Sequence, residues 1–309
     1  MTKDHFRDPN LVFWMFGNID AITVIKHSDC SIIGNIKINM CYRKCIRNTF
    51  IKCLLLSDLM ITTIYGTFIK EPARYFGARG ILIYSYDQRG FGAAPIRGYW
   101  PGKDAFALDL SAAARLIKAR HQDVPLYLIG VSMGGAVILN ALTNDNPPPA
   151  TGVILVAPAV WGRETQPFYQ CWALALAARV MPGMTLSGRG LNIKPSDNIP
   201  MLRALSLDPL VIKETRVDTL WGLVNLMDAA LAASKTFTSK ALILYGDKDE
   251  IIGQEPTVLM RSQLPQQGEN RHIFKRYPNG YHMLLRGLNA DLVWQDILNW
   301  IDPSAIKNR

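Results

Sequence analysis

Three residue types that together perform acyl transfer stand far apart in the chain, each in a setting suited to its part. Gly130-Val131-Ser132-Met133-Gly134 follows directly on an apolar run at 126–129 and leads directly into a helical run at 135–142. A strand feeding a G-x-S-x-G turn and a helix leaving it make a nucleophile elbow, whose glycines let neighbouring backbone approach without a clash. The helix N-terminus then directs free amides at a developing negative charge. Read blandly, the same string is a Gly-rich link between a strand and a helix.

Serine is a weak nucleophile, so a base must take its proton and a carboxylate must orient that base. On a sheet of this kind the chain order is serine, acid, histidine. A strand at 241–245 ends in Gly246-Asp247-Lys248-Asp249-Glu250, and a strand at 272–277 ends in Pro278-Asn279-Gly280-Tyr281-His282. Both strings lie just past strand C-termini, where an open α/β sheet places its ligands. Of His5, His27, His121, His272 and His282, only the last sits in a loop after a strand and downstream of an acidic loop. His272 opens a strand and His121 closes a surface helix. Asp247 and Asp249 both fit the acid's place, with Glu250 a third choice.

An oxyanion needs two donors. One is the backbone N–H of Met133. The other belongs to the loop after the strand predicted at 59–65, where Gly66 and Thr67 are the candidates. Backbone donors require no particular side chain.

The elements that must position these residues follow a regular grammar. Strands at 59–65, 81–86, 126–129, 152–156, 241–245 and 272–277 alternate with helices at 71–79, 103–120, 135–142, 255–264 and 292–300. Alternation of this kind predicts an α/β fold with a mostly parallel sheet and helices on both faces. Between 157 and 238 the strands stop and the text turns helical with Pro and Gly punctuation, which reads as an inserted cap. Its first helix, at 168–180, is apolar nearly all round, the mark of a buried helix. A cap over a cleft also needs an apolar underside for an acyl chain, with Phe168 and Trp172 as candidate substrate contacts. The resulting division is an atypical N-terminal segment at 1–58, a core at 59–157 and 239–309, and a helical cap at 158–238.

The segment before Ala73 has a different composition, with Ala21 as its only alanine and four of the five cysteines, Cys30, Cys41, Cys45 and Cys53. Cys41 and Cys45 are one helical turn apart, but no His or further Cys completes a zinc set at familiar spacing, so no metal site is expected.

The strings Tyr86-Asp87-Gln88-Arg89-Gly90-Phe91-Gly92, Gly130 to Gly135, Asp208-Pro209-Leu210, Gly246 to Asp249 and Gly280-Tyr281-His282 resemble those of the monoacylglycerol lipase and lysophospholipase group of α/β-hydrolases. Serine aminopeptidases of the S33 kind share this grouping. The likeness runs over about 67–301 in the right order. It implies an α/β-hydrolase fold with a cap over an amphiphilic ester, a Ser132, Asp249, His282 triad, and no cofactor. Closing a G-x-x-D turn is what selects Asp249 over Asp247. Asp87, Arg89 and Gly90 take a structural role beside the nucleophile. The chain departs from the group where its usual His-Gly after the third strand is replaced by Tyr65-Gly66-Thr67.

The function expected is hydrolysis of a monoacyl lipid ester, a lysophospholipid or monoacylglycerol, through an acyl-enzyme. The alternatives are a catalytically impaired binding protein of the same fold and a serine aminopeptidase. The 309 residues are 49% hydrophobic and 19% charged, which excludes intrinsic disorder. A net charge of +9 comes from scattered Lys and Arg, with no basic helix or aromatic platform, so nucleic acid is not an expected partner. Weak, screened contact with an anionic membrane surface is compatible with it. Sparse cysteines and the lack of a targeting segment point to a cytoplasmic protein, peripheral to membrane at most. The Gly-rich loops lack the Lys-Ser or Lys-Thr of a phosphate loop. Oligomeric state is not legible.

Overall fold

The computed structural model describes residues 22–24, 52–59 and 69–303, apart from 93, 95, 189 and 267–270. Among them, nine strands run in chain order: β1 (Ile22–Val24), β2 (Lys52–Leu59), β3 (Ile81–Tyr86), β4 (Leu126–Ser132), β5 (Gly152–Val156), β6 (Thr185–Ser187), β7 (Glu214–Arg216), β8 (Ala241–Gly246) and β9 (His272–Tyr277). Eight helices accompany them: α1 (Lys70–Gly77), α2 (Lys103–Arg120), α3 (Met133–Leu142), α4 (Phe168–Val180), α5 (Ile199–Leu207), α6 (Val217–Ala233), α7 (Gln254–Gln263) and α8 (Ala290–Ile301). Seven strands form one sheet in the order β1-β3-β2-β4-β5-β8-β9, all parallel but β1. This is the α/β-hydrolase fold.

The central strands are apolar at successive positions because both faces of the sheet are covered. Leu126, Leu128, Val153, Leu155, Ala241 and Ile243 point to one side, where they pack with α2, α3 and α6. Tyr127, Ile129, Ile154, Val156, Leu242 and Leu244 point to the other, against α1 and α8. A strand period of two, apolar at odd and even positions alike, therefore builds two cores from one sheet.

Chain order reverses between β2 and β4: β3 lies on the far side of β2, whereas β5, β8 and β9 continue beyond β4. Such a switch point opens a crevice at the strand C-termini. Leu59, the last residue of β2, is in register with Ser132, the last residue of β4.

Of the strand predicted at 59–65 only Leu59 lies among the described residues, and it ends a strand that begins earlier, at Lys52. The unbroken apolar stretch Leu54-Leu55-Leu56 suits a strand paired on both edges. Hence β1 and β2 of the sheet both come from the stretch before Ala73 that composition sets apart. Contrary to expectation, strands do not stop after 157, since β6 and β7 pair as a short antiparallel ribbon. Cys41 and Cys45 lie outside the described residues. No helix among the described residues is long and apolar enough to cross a membrane.

Helix α4 departs from its reading as a buried helix, because none of its residues is buried. Leu174 packs toward the core, while Phe168 is 76% exposed and Trp172 75% exposed. By contrast α6, from the same insertion, buries Leu223, Val224, Leu226 and Ala230 in the core shared with α2 and α3.

Candidate active site

Ser132 ends β4 and immediately precedes α3, at φ 51° and ψ −115°. A positive φ on a side-chain-bearing residue is strained by about 1–3 kcal/mol and persists only where the surroundings dictate it. They do so here. A Cβ on Gly130 would stand 2.5 Å from the carbonyl of Gly134, so the turn closes only on glycine. Ala159 N–H donates to the Ser132 carbonyl at 2.9 Å, which ties the elbow to the chain leaving β5. Met133 is the first residue of α3, so its N–H has no acceptor within the helix.

His282 lies in the loop after β9 and is closed to solvent. Its Nδ1 is 2.7 Å from Oδ2 of Asp249, in the loop after β8. Oδ1 of Asp249 accepts the N–H groups of Ile251 at 2.8 Å and Ile252 at 2.9 Å. An ionised carboxylate only accepts, so Nδ1 carries the imidazole proton and Nε2 is left as the basic nitrogen. Nε2 is buried and has no hydrogen-bond partner among the described residues. Tyr245, at the end of β8, donates to the Ile252 carbonyl; its phenol is pushed up to about 12 by burial and then by the charges of Asp249 and Asp247.

The two loops are zipped together. Gly246 has no room for a Cβ against the Gly280 and Tyr281 carbonyls, and Lys248 N–H donates to the Gly280 carbonyl at 2.9 Å. Asp247, the competing acid, instead accepts from Arg276 Nε at 2.8 Å on the surface. Glu250 accepts the Lys194 N–H.

The loop after β3 is anchored to α2. Arg89 grips Asp109 of α2 with Nε and Nη2 at 2.6 and 2.7 Å. Burial raises the Asp109 carboxyl above its ordinary range, against the opposing pull of Arg89. A small apolar hollow, with room for about one water, is lined by Met133, Phe91, Trp100, Thr219, Leu220 and Leu223. Gly66 and Thr67 fall outside the described residues. What is established is that β2 ends level with Ser132, so the chain leaving Leu59 starts beside the elbow.

Residues 64–289 match the serine aminopeptidase S33 family, a span that holds Ser132, Asp249 and His282. The chain belongs to this family. Membership of the S33 family carries serine-hydrolase chemistry in general. Among curated relatives, monoacylglycerol lipase of Mycolicibacterium smegmatis is 26% identical over 242 residues, covering 74% of this chain and 81% of the relative. Monoglyceride lipase of Rattus norvegicus is 26% identical over 237 residues, covering 75% and 76%. Of solved structures, Paleococcus ferrophilus monoacylglycerol lipase superposes with a TM-score of 0.64 at 19% identity, over 80% of this chain and 93% of that one, a likeness of fold.

Some parts of the site were not foreseen. Asp109 sits within an ordinary amphipathic helix, and its pairing with Arg89 twenty residues earlier leaves no mark in spacing. Trp100 reads as a loop aromatic, yet its indole lies against Gly222 of α6 at the hollow.

Proposed function

We propose that this chain is a serine esterase that cleaves carboxylic esters of monoacyl lipids, lysophospholipids or monoacylglycerols, through an acyl-enzyme. Ser132 Oγ attacks the ester carbonyl while His282 Nε2 takes its proton, and Asp249 stabilises the imidazolium so formed. The Met133 N–H meets the charge that develops on the carbonyl oxygen, and Gly66 or Thr67 supplies the second donor. His282 returns the proton to the departing alkoxide. Water then repeats the sequence on the acyl-enzyme, releasing the fatty acid and restoring Ser132.

The observation that carries this reading is the buried Asp249–His282 pair, in which a carboxylate held by two backbone N–H groups fixes one ring nitrogen while the other has no partner among the described residues. His272 Nε2 is also unpartnered, so it is the bond to Asp249, in the loop beside it, that sets His282 apart. The relatives named monoacylglycerol lipase and monoglyceride lipase support a lipid ester.

The segment 158–238 is proposed to act as a cap. Phe168, Tyr169, Trp172, Leu176 and Val180 expose an apolar stripe along α4, with Arg179 in its last turn. A stripe of this kind favours substrate drawn from a lipid aggregate, with Phe168 and Trp172 entering the headgroup boundary of a cytoplasmic membrane face.

The test is a fluorophosphonate probe on the full chain. Labelling that disappears in Ser132→Ala supports the reading. A wild type that neither labels nor hydrolyses p-nitrophenyl esters turns the protein into a binding protein of this fold. Faster turnover of aminoacyl p-nitroanilides than of acyl esters would replace the esterase with an aminopeptidase.

A further inference from the structure

One segment of the helical insertion bonds to the residue after the proposed acid and to the residue after the proposed base. Lys194 N–H donates to Glu250 Oε2 at 2.7 Å, immediately beyond Asp249. Met283 N–H, immediately beyond His282, donates to the Pro195 carbonyl at 2.9 Å. Farther along the histidine loop, Asn198 Nδ2 donates to the Arg286 carbonyl at 3.0 Å, and Leu288 N–H donates to Asp197 Oδ1 at 2.9 Å.

The segment is itself fixed. Ser196 is fully buried and its Oγ accepts the Asn198 N–H at 3.2 Å, while Asn198 Oδ1 caps α5 by accepting the Met201 N–H at 3.2 Å. Residues 194–198 therefore act as a strap laid across the two loops. Ester cleavage as written above uses none of these bonds.

We propose that Asp197, Asn198 and Glu250 are positioning residues, which hold Asp249 and His282 at bonding distance by pinning their loops to this strap. The inference rests on the roles proposed for Ser132, Asp249 and His282. A small misplacement of a base relative to the atom it serves lowers the rate of the chemical step without altering substrate binding. The strap also makes the insertion part of the catalytic framework, because it leads directly into α5.

Three variants of the full chain test this with a soluble p-nitrophenyl ester. The pair Asp197→Ala and Glu250→Ala removes two acceptors, and kcat falls about tenfold while KM stays within about twofold. The pair Asp197→Asn and Glu250→Gln keeps an amide oxygen for each N–H, and kcat returns to within about twofold of wild type. Asn198→Asp keeps the cap on α5 but sets an acceptor against the Arg286 carbonyl, so kcat falls at an unchanged KM in a chain that still folds. This variant decides the matter if the alanine pair does not fold.

Unchanged kcat in the alanine pair and in Asn198→Asp, a change confined to KM, or no recovery in the amide pair overturns the inference. Fluorophosphonate labelling of the wild type separates this from the parent reading. Normal labelling at Ser132 with indifferent variants removes the strap's role alone, and no labelling removes both.

Discussion

Asp249 Oδ2 lies 2.7 Å from Nδ1 of His282, 33 residues further along the chain, and neither side chain is open to solvent. The carboxylate's other oxygen receives two backbone N–H groups, so the group is held from both ends and cannot turn away from the imidazole. Nothing among the described residues bonds His282 Nε2, and a buried group left so costs about 1–3 kcal/mol. On the proposed reading that cost is removed when a hydroxyl or a leaving group arrives.

Asp249→Asn should reduce kcat by about four orders of magnitude, because an amide in that place permits the wrong imidazole tautomer. Asp247→Asn breaks only a surface pair with Arg276, an interaction of about 0–1 kcal/mol, and should leave turnover nearly unchanged. Steady-state kinetics on both variants decide between them. A severe Asp247 defect beside a mild Asp249 defect would make Asp247 the acid.

Arg89→Leu should destabilise the fold by about 3 kcal/mol, since it leaves the buried Asp109 carboxylate unpaired. The sign of its pH dependence follows from burial. Asp109 has a raised pKa in the folded state, so its ionisation opposes folding, and stability falls as pH rises from the unfolded value through the folded one. Without Arg89 the folded value climbs further and this loss grows. Denaturant melts should therefore show a smaller wild-type-to-variant gap at pH 4 than at pH 7, and Arg89→Leu with Asp109→Leu should recover most of it. An equal gap at both pH values contradicts the account.

Most of the catalytic end of the fold was legible in the sequence because the chemistry there is local in the chain. Gly130 to Gly135 announces its own turn, and β5, β9, α2 and α4 have the boundaries that apolar periodicity and turn residues predict. Choosing Asp249 over Asp247 was different. Both follow the same strand, and only the resemblance separated them; in the structure Asp249 bonds His282 and Asp247 bonds Arg276. The start of strand β2 was hidden because a largely apolar stretch runs on from 53 to 69, and it is pairing with β3 and β4 that sets its beginning. Exposure of α4 was hidden for a related reason: an apolar helix reads as buried when nothing in the sequence shows that no partner covers it. The strap at 194–198 was invisible apart from its helix start, Asn198 with Pro200 two residues on.

Binding to lipid vesicles should depend on the exposed stripe of α4. Replacing Phe168 and Trp172 together by serine removes two large apolar side chains, each worth about 1.5–3 kcal/mol when buried, and should lower partitioning at least about tenfold. Anionic vesicles should bind the wild type more tightly than neutral ones, with the difference shrinking at high salt. Turnover of a water-soluble ester should be unaffected. A co-sedimentation assay in which the double variant binds as well as wild type would show that α4 is not the lipid-facing element.

Trp100 should limit acyl-chain length. Its indole rests on the bare backbone of Gly222 and meets Phe106 edge-on at 4.9 Å, and it lines the small hollow that Met133 also lines. On the proposed reading, an acyl tail led past Met133 meets that ring, which then sets the chain length at which kcat/KM peaks. Trp100→Ala opens the path, and each additional methylene then buried adds about 0.8 kcal/mol, close to a fourfold gain in kcat/KM per carbon. A series of p-nitrophenyl esters from acetate to dodecanoate should show the variant's optimum displaced toward longer chains, with the short esters weakened by the lost packing. An optimum that stays in place would put the acyl chain on another path, away from Trp100.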